Sequence, residues 1–128
     1  MKTNCKLAIA LIAGAAIGGA AIQGLHAQAK PPVYVVGENT VTNVDAYAKE
    51  FVPLARASIK NAGGKAVAAS QNVTSLEGAP QTSRVTINVF DSLEKAKAWR
   101  TGAEYIDARK IGDKYAKFRA FAVEGLPQ

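Results

Sequence analysis

Apolar and polar residues alternate with a period of two from Val33 to Thr40 (VYVVGENT), placing Val33, Val35 and Gly37 on one face and Tyr34, Val36 and Glu38 on the other. That period predicts a β-strand. Arg84 to Phe90 (RVTINVF) alternates more cleanly, with Val85, Ile87 and Val89 facing one way and Thr86, Asn88 and Phe90 the other. Lys117 to Glu124 (KFRAFAVE) predicts a closing strand, and the Ala/Val-rich stretch from Lys65 to Gln71 a weaker one. Between them the spacing becomes helical. Thr42 or Asn43 can cap a helix whose first turn holds Asp45, where the helix dipole favours an anion. Tyr47 and Phe51 lie four apart, and Pro53, lacking an amide hydrogen, must kink this helix or open a second one. Leu54, Ser58, Ile59 and Ala62 continue the stripe until Gly63-Gly64 stops it.

Asn72 to Ser83 has the turn chemistry of a hairpin connection. Asp91-x-x-Glu94 reads as a capping-box variant opening a helix with Leu93, Ala96, Trp99 and Ala103 on one side. A further helical stretch from Glu104 to Tyr115 aligns Tyr105, Ala108, Ile111 and Tyr115. The order is strand, helix, strand, strand, helix, strand. It predicts an α+β, ferredoxin-like βαββαβ sandwich with helices on one face of an antiparallel sheet. The Val85/Ile87/Val89 side is expected to lie under the helices. The opposite side, with Tyr34, Val36, Thr86, Asn88 and Phe90, would then be an uncovered patch of the kind that marks an interface. A homodimer packed sheet on sheet is the expectation.

The first 29 residues change the composition. Lys2 and Lys6 precede an apolar run from Leu7 to Ile22, and two small-x-small sites follow, ending at Ala27 and Ala29. That is the order of a secretory signal. Residues 1–29 are therefore read as a signal peptide and 30–128 as one domain, periplasmic or secreted, with no stable membrane association after cleavage. An uncleaved anchor is the alternative, but the run is short and rich in Ala and Gly. Cleavage removes two of 16 basic residues and none of the 10 acids, leaving 14 against 10, and it also removes Cys5, His26 and Met1. The mature domain thus has no thiol and no imidazole. This excludes Ser-His-Asp and Cys-His nucleophiles, His/Cys metal sites and any disulfide. The carboxylates do not cluster at metal-ligand spacing, and neither metal nor cofactor is expected. Basic residues alternate with acids along the predicted helices, a solvated-face pattern, and nucleic-acid binding is not expected.

The chain resembles the domain of unknown function 1330 family of the dimeric α/β-barrel superfamily, and within it the exported bacterial members. The resemblance is carried by Pro32-Val33-Tyr34, Glu38, Thr42-Asn43, Asp45-Ala46-Tyr47, Gly63-Gly64 and Phe90-Asp91-Ser92. It continues through Glu94-Lys95, Ala98-Trp99, Glu104-Tyr105, Arg109, the stretch Ile111 to Arg119, and Val123-Glu124-Gly125. It implies the fold and a dimer, and no particular reaction. Arg100 stands where the family usually has Tyr, a change that would alter the mouth of a pocket; Val44, Thr101 and Ala103 also depart from the pattern.

Two residues are candidates for catalysis. Enclosure of the first strand's outer face by a partner would strip water from Glu38 and make it a proton acceptor near neutral pH. Its plain alternative is a carboxylate in water, or one paired with Arg109 or Arg119. Arg109, four residues after Tyr105, could clamp a carboxylate or enolate with its planar fork, or form a structural ion pair. Tyr34, Asn88, Trp99 and Tyr105 are the candidate ligand-binding residues, although aromatics at helical spacing, as Trp99 and Tyr105 are, more often belong simply to a core. Three functions follow: binding of a small organic molecule at a dimeric sheet face; cofactor-independent catalysis (isomerase, decarboxylase-like or monooxygenase) with Glu38 as base and Arg109 as anion clamp; or a structural interaction module.

Overall fold

The computed structural model describes residues 30–79 and 83–127, so the signal-peptide reading lies outside the described residues. Strand β1 spans Val33–Val41 and is followed by a short helix α1, Val44–Ala46. Asn43 caps α1, its Oδ1 accepting the Ala46 amide at 3.1 Å. The helical run then widens into a π turn, Tyr47–Phe51, in which the Val52 amide donates to the Tyr47 carbonyl, before continuing as α2, Val52–Asn61. Pro53 sits in the first turn of α2, where a missing amide hydrogen costs little. Gly63 ends the run in the left-handed region (φ +82°) that side chains avoid.

Strand β2, Lys65–Ser70, runs antiparallel to β3, Arg84–Phe90, as the hairpin reading requires. Helix α3, Leu93–Thr101, is capped by Ser92, whose Oγ accepts the Lys95 amide at 3.2 Å. This corrects the expected Asp91 cap. Asp91 instead accepts from Lys95 Nζ at 3.0 Å, because the extended backbone of Ser92 brings the shorter side chain over the amides. The helix breaks at Gly102, and α4, Ala103–Gly112, begins immediately, so Ala103 does not extend the α3 stripe. Strand β4, Ala116–Glu124, closes a four-stranded antiparallel sheet in the order β2-β3-β1-β4. This is the ferredoxin-like α+β topology expected from the sequence. Among the described residues no helix is long and apolar enough to cross a membrane.

Register decides which side chains meet the helices. Tyr34 pairs with Val89, Val36 with Ile87 and Glu38 with Val85, and residues directly opposed in an antiparallel pair share a face. The helix side therefore carries Val33, Val35, Gly37 and Asn39 from β1, and Arg84, Thr86, Asn88 and Phe90 from β3. This reverses the expected orientation of β3, whose Val85, Ile87 and Val89 lie on the uncovered side. Alternation alone could not choose, because both faces of that strand carry large apolar groups. Phe90 settles it: its ring is 1% exposed and packs 5.3 Å, centroid to centroid, from Trp99. Burying such a side chain stabilises by about 1.5–3 kcal/mol, enough to take polar Thr86 and Asn88 inward with it.

Candidate functional site

Those inward polar residues line a cavity of ≈ 70 Å³ between the sheet and the helices. The sheet supplies Asn39, Arg84, Thr86 and Asn88 to its wall; the helices supply Tyr47, Arg56, Trp99, Arg100 and Tyr105. Gly37 lies on the sheet side, where an added Cβ would come within 2.5 Å of Thr86 Oγ1. Only glycine lets Thr86 keep its place there.

The aromatic groups are held by hydrogen bonds at their polar ends. Trp99 Nε1 donates to Ser58 Oγ at 3.0 Å, and that hydroxyl, on a residue 2% exposed, donates onward to the Ala55 carbonyl at 2.7 Å. Asn39 Nδ2 donates to the Tyr47 phenol at 3.1 Å, and the Arg84 guanidinium carbon lies 5.6 Å from the centre of the Tyr47 ring. Burial pushes the Tyr47 phenol above its ordinary pKa of 10.0, against the opposing pull of Asn39 and Arg84. Arg100 Nη1 donates to the Tyr105 phenol at 2.6 Å, with its guanidinium carbon 4.8 Å from the Tyr105 ring centre and 5.6 Å from that of Trp99. Among the described residues Arg100 is fixed by aromatic partners and by no carboxylate.

Of the residues singled out from sequence, Asn88, Trp99 and Tyr105 are brought together in this cavity. Tyr34 is on the other side of the sheet, opposite Val89. Glu38 is on that side too, paired with Arg119, one of the two arginines considered for it. Arg109 binds Asp113 through Nε and Nη2, at 3.0 and 2.8 Å, and stacks 3.9 Å from the centre of the Phe118 ring. Burial opposes its charge, but hydrogen bonds with Tyr105 and Asp113 more than offset this and raise its pKa. Neither Glu38 nor Arg109 lines the cavity. Sequence reasoning passed over Asn39, Arg56 and Arg84. The signal for Asn39 was its place on β1: it shares the parity of buried Val33 and Val35, where a polar residue must meet a polar partner or a ligand.

A four-stranded antiparallel sheet in this order, with helices over one face, defines a ferredoxin-like fold. Solved structures agree. A protein of unknown function from Rhodopseudomonas palustris superposes with a TM-score of 0.62 at 17% identity, over 76% of this chain and 84% of that one. The cofactor-independent oxygenase SnoaB from Streptomyces nogalater gives a TM-score of 0.54 at 14% identity, over 77% and 96%. A conserved protein of unknown function from Bacteroides thetaiotaomicron gives 0.52 at 15% identity, over 76% and 100%. These likenesses concern the fold. Residues 32–126 match the family described as domain of unknown function DUF1330, and the chain belongs to that family. No curated protein matches the sequence.

Proposed function

We propose that the protein is exported, assembles as a homodimer through the uncovered sheet face, and binds a small organic molecule whose polar end enters the cavity of each protomer. The observation that carries the binding reading is the inward polarity of the sheet: Asn39, Arg84, Thr86 and Asn88 face the helices, where a domain of this kind ordinarily buries apolar groups. A polar wall beside Trp99 and Tyr105 suits a ligand with one polar end and one apolar body. The dimer reading rests on the other face, where Tyr34, Val36, Val85, Ile87 and Val89 form an apolar surface continued by Phe121 and Val123, 44% and 50% exposed. This reading puts the site under the helices, whereas the sequence alone leads us to expect it at the dimer face. Native mass spectra of protein purified from the periplasm of expressing cells test all three parts. The expected species is a dimer beginning at Lys30 or Gln28 and carrying an additional small-molecule mass. A monomer that no metabolite pool stabilises against heat overturns the reading.

A second reading, catalysis without a cofactor, draws on the fold shared with a cofactor-independent oxygenase. In it Glu38 would be the base and Arg109 the anion clamp. Within one protomer they lie on opposite sides of the sheet, so this reading needs turnover that both Glu38→Gln and Arg109→Ala abolish. Turnover unchanged in both variants ends it.

A further inference from the structure

The cavity beneath the helices has a neighbour. An open groove of ≈ 260 Å³ runs between α3 and β4, and the two spaces share Val35, Arg100 and Ala120 as common wall. Beyond that wall the groove is lined by Leu93, Ala96, Phe121 and Ala122, with Lys97 and Thr101 at its margin. The two linings together hold four cations, Arg56, Arg84, Lys97 and Arg100, and among the described residues no carboxylate.

Arg100 is the hinge of this arrangement. Arg109 and Arg119 each pair with an acid, Asp113 and Glu38. The Arg100 guanidinium has a phenol and two aromatic rings around it and, among the described residues, no acidic partner. A half-buried cation held in place by rings has its planar fork available for a planar anion, which it binds more strongly than a neutral acceptor. The surface running away from it is almost wholly apolar.

We infer that this protein's ligand is a monocarboxylate with an apolar chain or ring, its carboxylate on Arg100 and its body in the groove between α3 and β4. The inference rests on the binding reading above and adds to it the ligand's charge, its polarity pattern and its direction. A cavity of ~150 Å³ takes benzene, so by proportion the groove has room for about ten carbons.

Trp99, the single tryptophan of the chain, lies against Arg100 and reports occupancy by its fluorescence. The probes are octanoate and its neutral isostere octanamide, titrated into the purified full-length mature protein. Octanoate is expected to bind at least tenfold more tightly than octanamide. Arg100→Gln, which keeps a polar donor on a shorter side chain and removes the charge, is expected to erase that preference, and Arg100→Lys to restore part of it. Ala122→Leu, which fills the groove, is expected to weaken octanoate while leaving acetate unchanged. Melting curves of each variant separate loss of binding from loss of fold. Equal affinity for octanoate and octanamide overturns the anion assignment and leaves the cavity reading standing. So does a co-purifying ligand that is neutral or cationic. If neither probe moves the Trp99 signal and no ligand co-purifies, both readings fall.

Discussion

The two faces of the sheet mix polar and apolar groups differently. The face under the helices buries Val33, Val35 and Phe90 beside Asn39, Arg84, Thr86 and Asn88; the face without helices carries Val36, Val85, Ile87, Val89 and Phe121. In an ordinary two-layer domain the covered face is the apolar one, because burying unpaired polar groups costs more than burying methyls gains. The difference teaches that the covered face holds polar side chains within its apolar core, while the uncovered face presents apolar side chains with no helix over them.

The comparison breaks most sharply at the outer face. Ile87→Glu puts a charge in the middle of the apolar surface and is expected to convert the proposed dimer wholly to monomer in native mass spectra, with the far-ultraviolet circular dichroism kept. A dimer that survives this change is not assembled through the sheet. On the inner face the largest effect belongs to Phe90. Replacing that 1%-exposed ring by alanine leaves a cavity beside Trp99 and is expected to cost about 3–5 kcal/mol in urea denaturation. Ser58→Ala is smaller. It leaves the Trp99 indole donor without its acceptor, a loss of roughly 1–3 kcal/mol, accompanied by a change in Trp99 emission.

The smallest effect is a pH dependence. The folded-state pKa of Tyr47 is raised above 10.0 by burial, so the unfolded chain loses that proton first. Stability from this group is therefore fully present below pH 10 and falls as pH rises through the folded value. Tyr115, raised by its hydrogen bond with Glu50, acts in the same sense. Melting temperatures measured through this alkaline range should fall less steeply in Tyr47→Phe than in the parent. Equal slopes would show that the phenol is not held neutral by its surroundings.

How much of this was legible depended on whether a signal was local. Period-two alternation marked β1 and β3 almost to the residue, and Gly63-Gly64 and Pro53 punctuated the helical run where the structure does. The choice of inner face for β3 was not local. It depended on the pairing of Tyr34 with Val89 and on which large group the helices enclosed, Phe90 or Ile87. Trp99 and Tyr105 were found as aromatics at helical spacing, and both line the cavity. Arg84 was passed over because the polar head of a strand looks like its solvated end. Glu38 drew attention because it stood among apolar neighbours, and the structure explains it by Arg119, its cross-strand partner on β4.

The π turn at Tyr47–Phe51 amounts to a one-residue insertion that the helix absorbs without breaking. Each residue of an α-helix advances the chain by about 100°. Because the wider turn takes up the extra residue, deleting one residue from it would let the run close into regular α-helix with the segments on either side keeping nearly the same faces. Tyr47 would stay toward Asn39 and Phe51 against Phe118, one position closer along the chain. The turn is a slack link, a place where the length of the chain can change without turning either ring away from the wall.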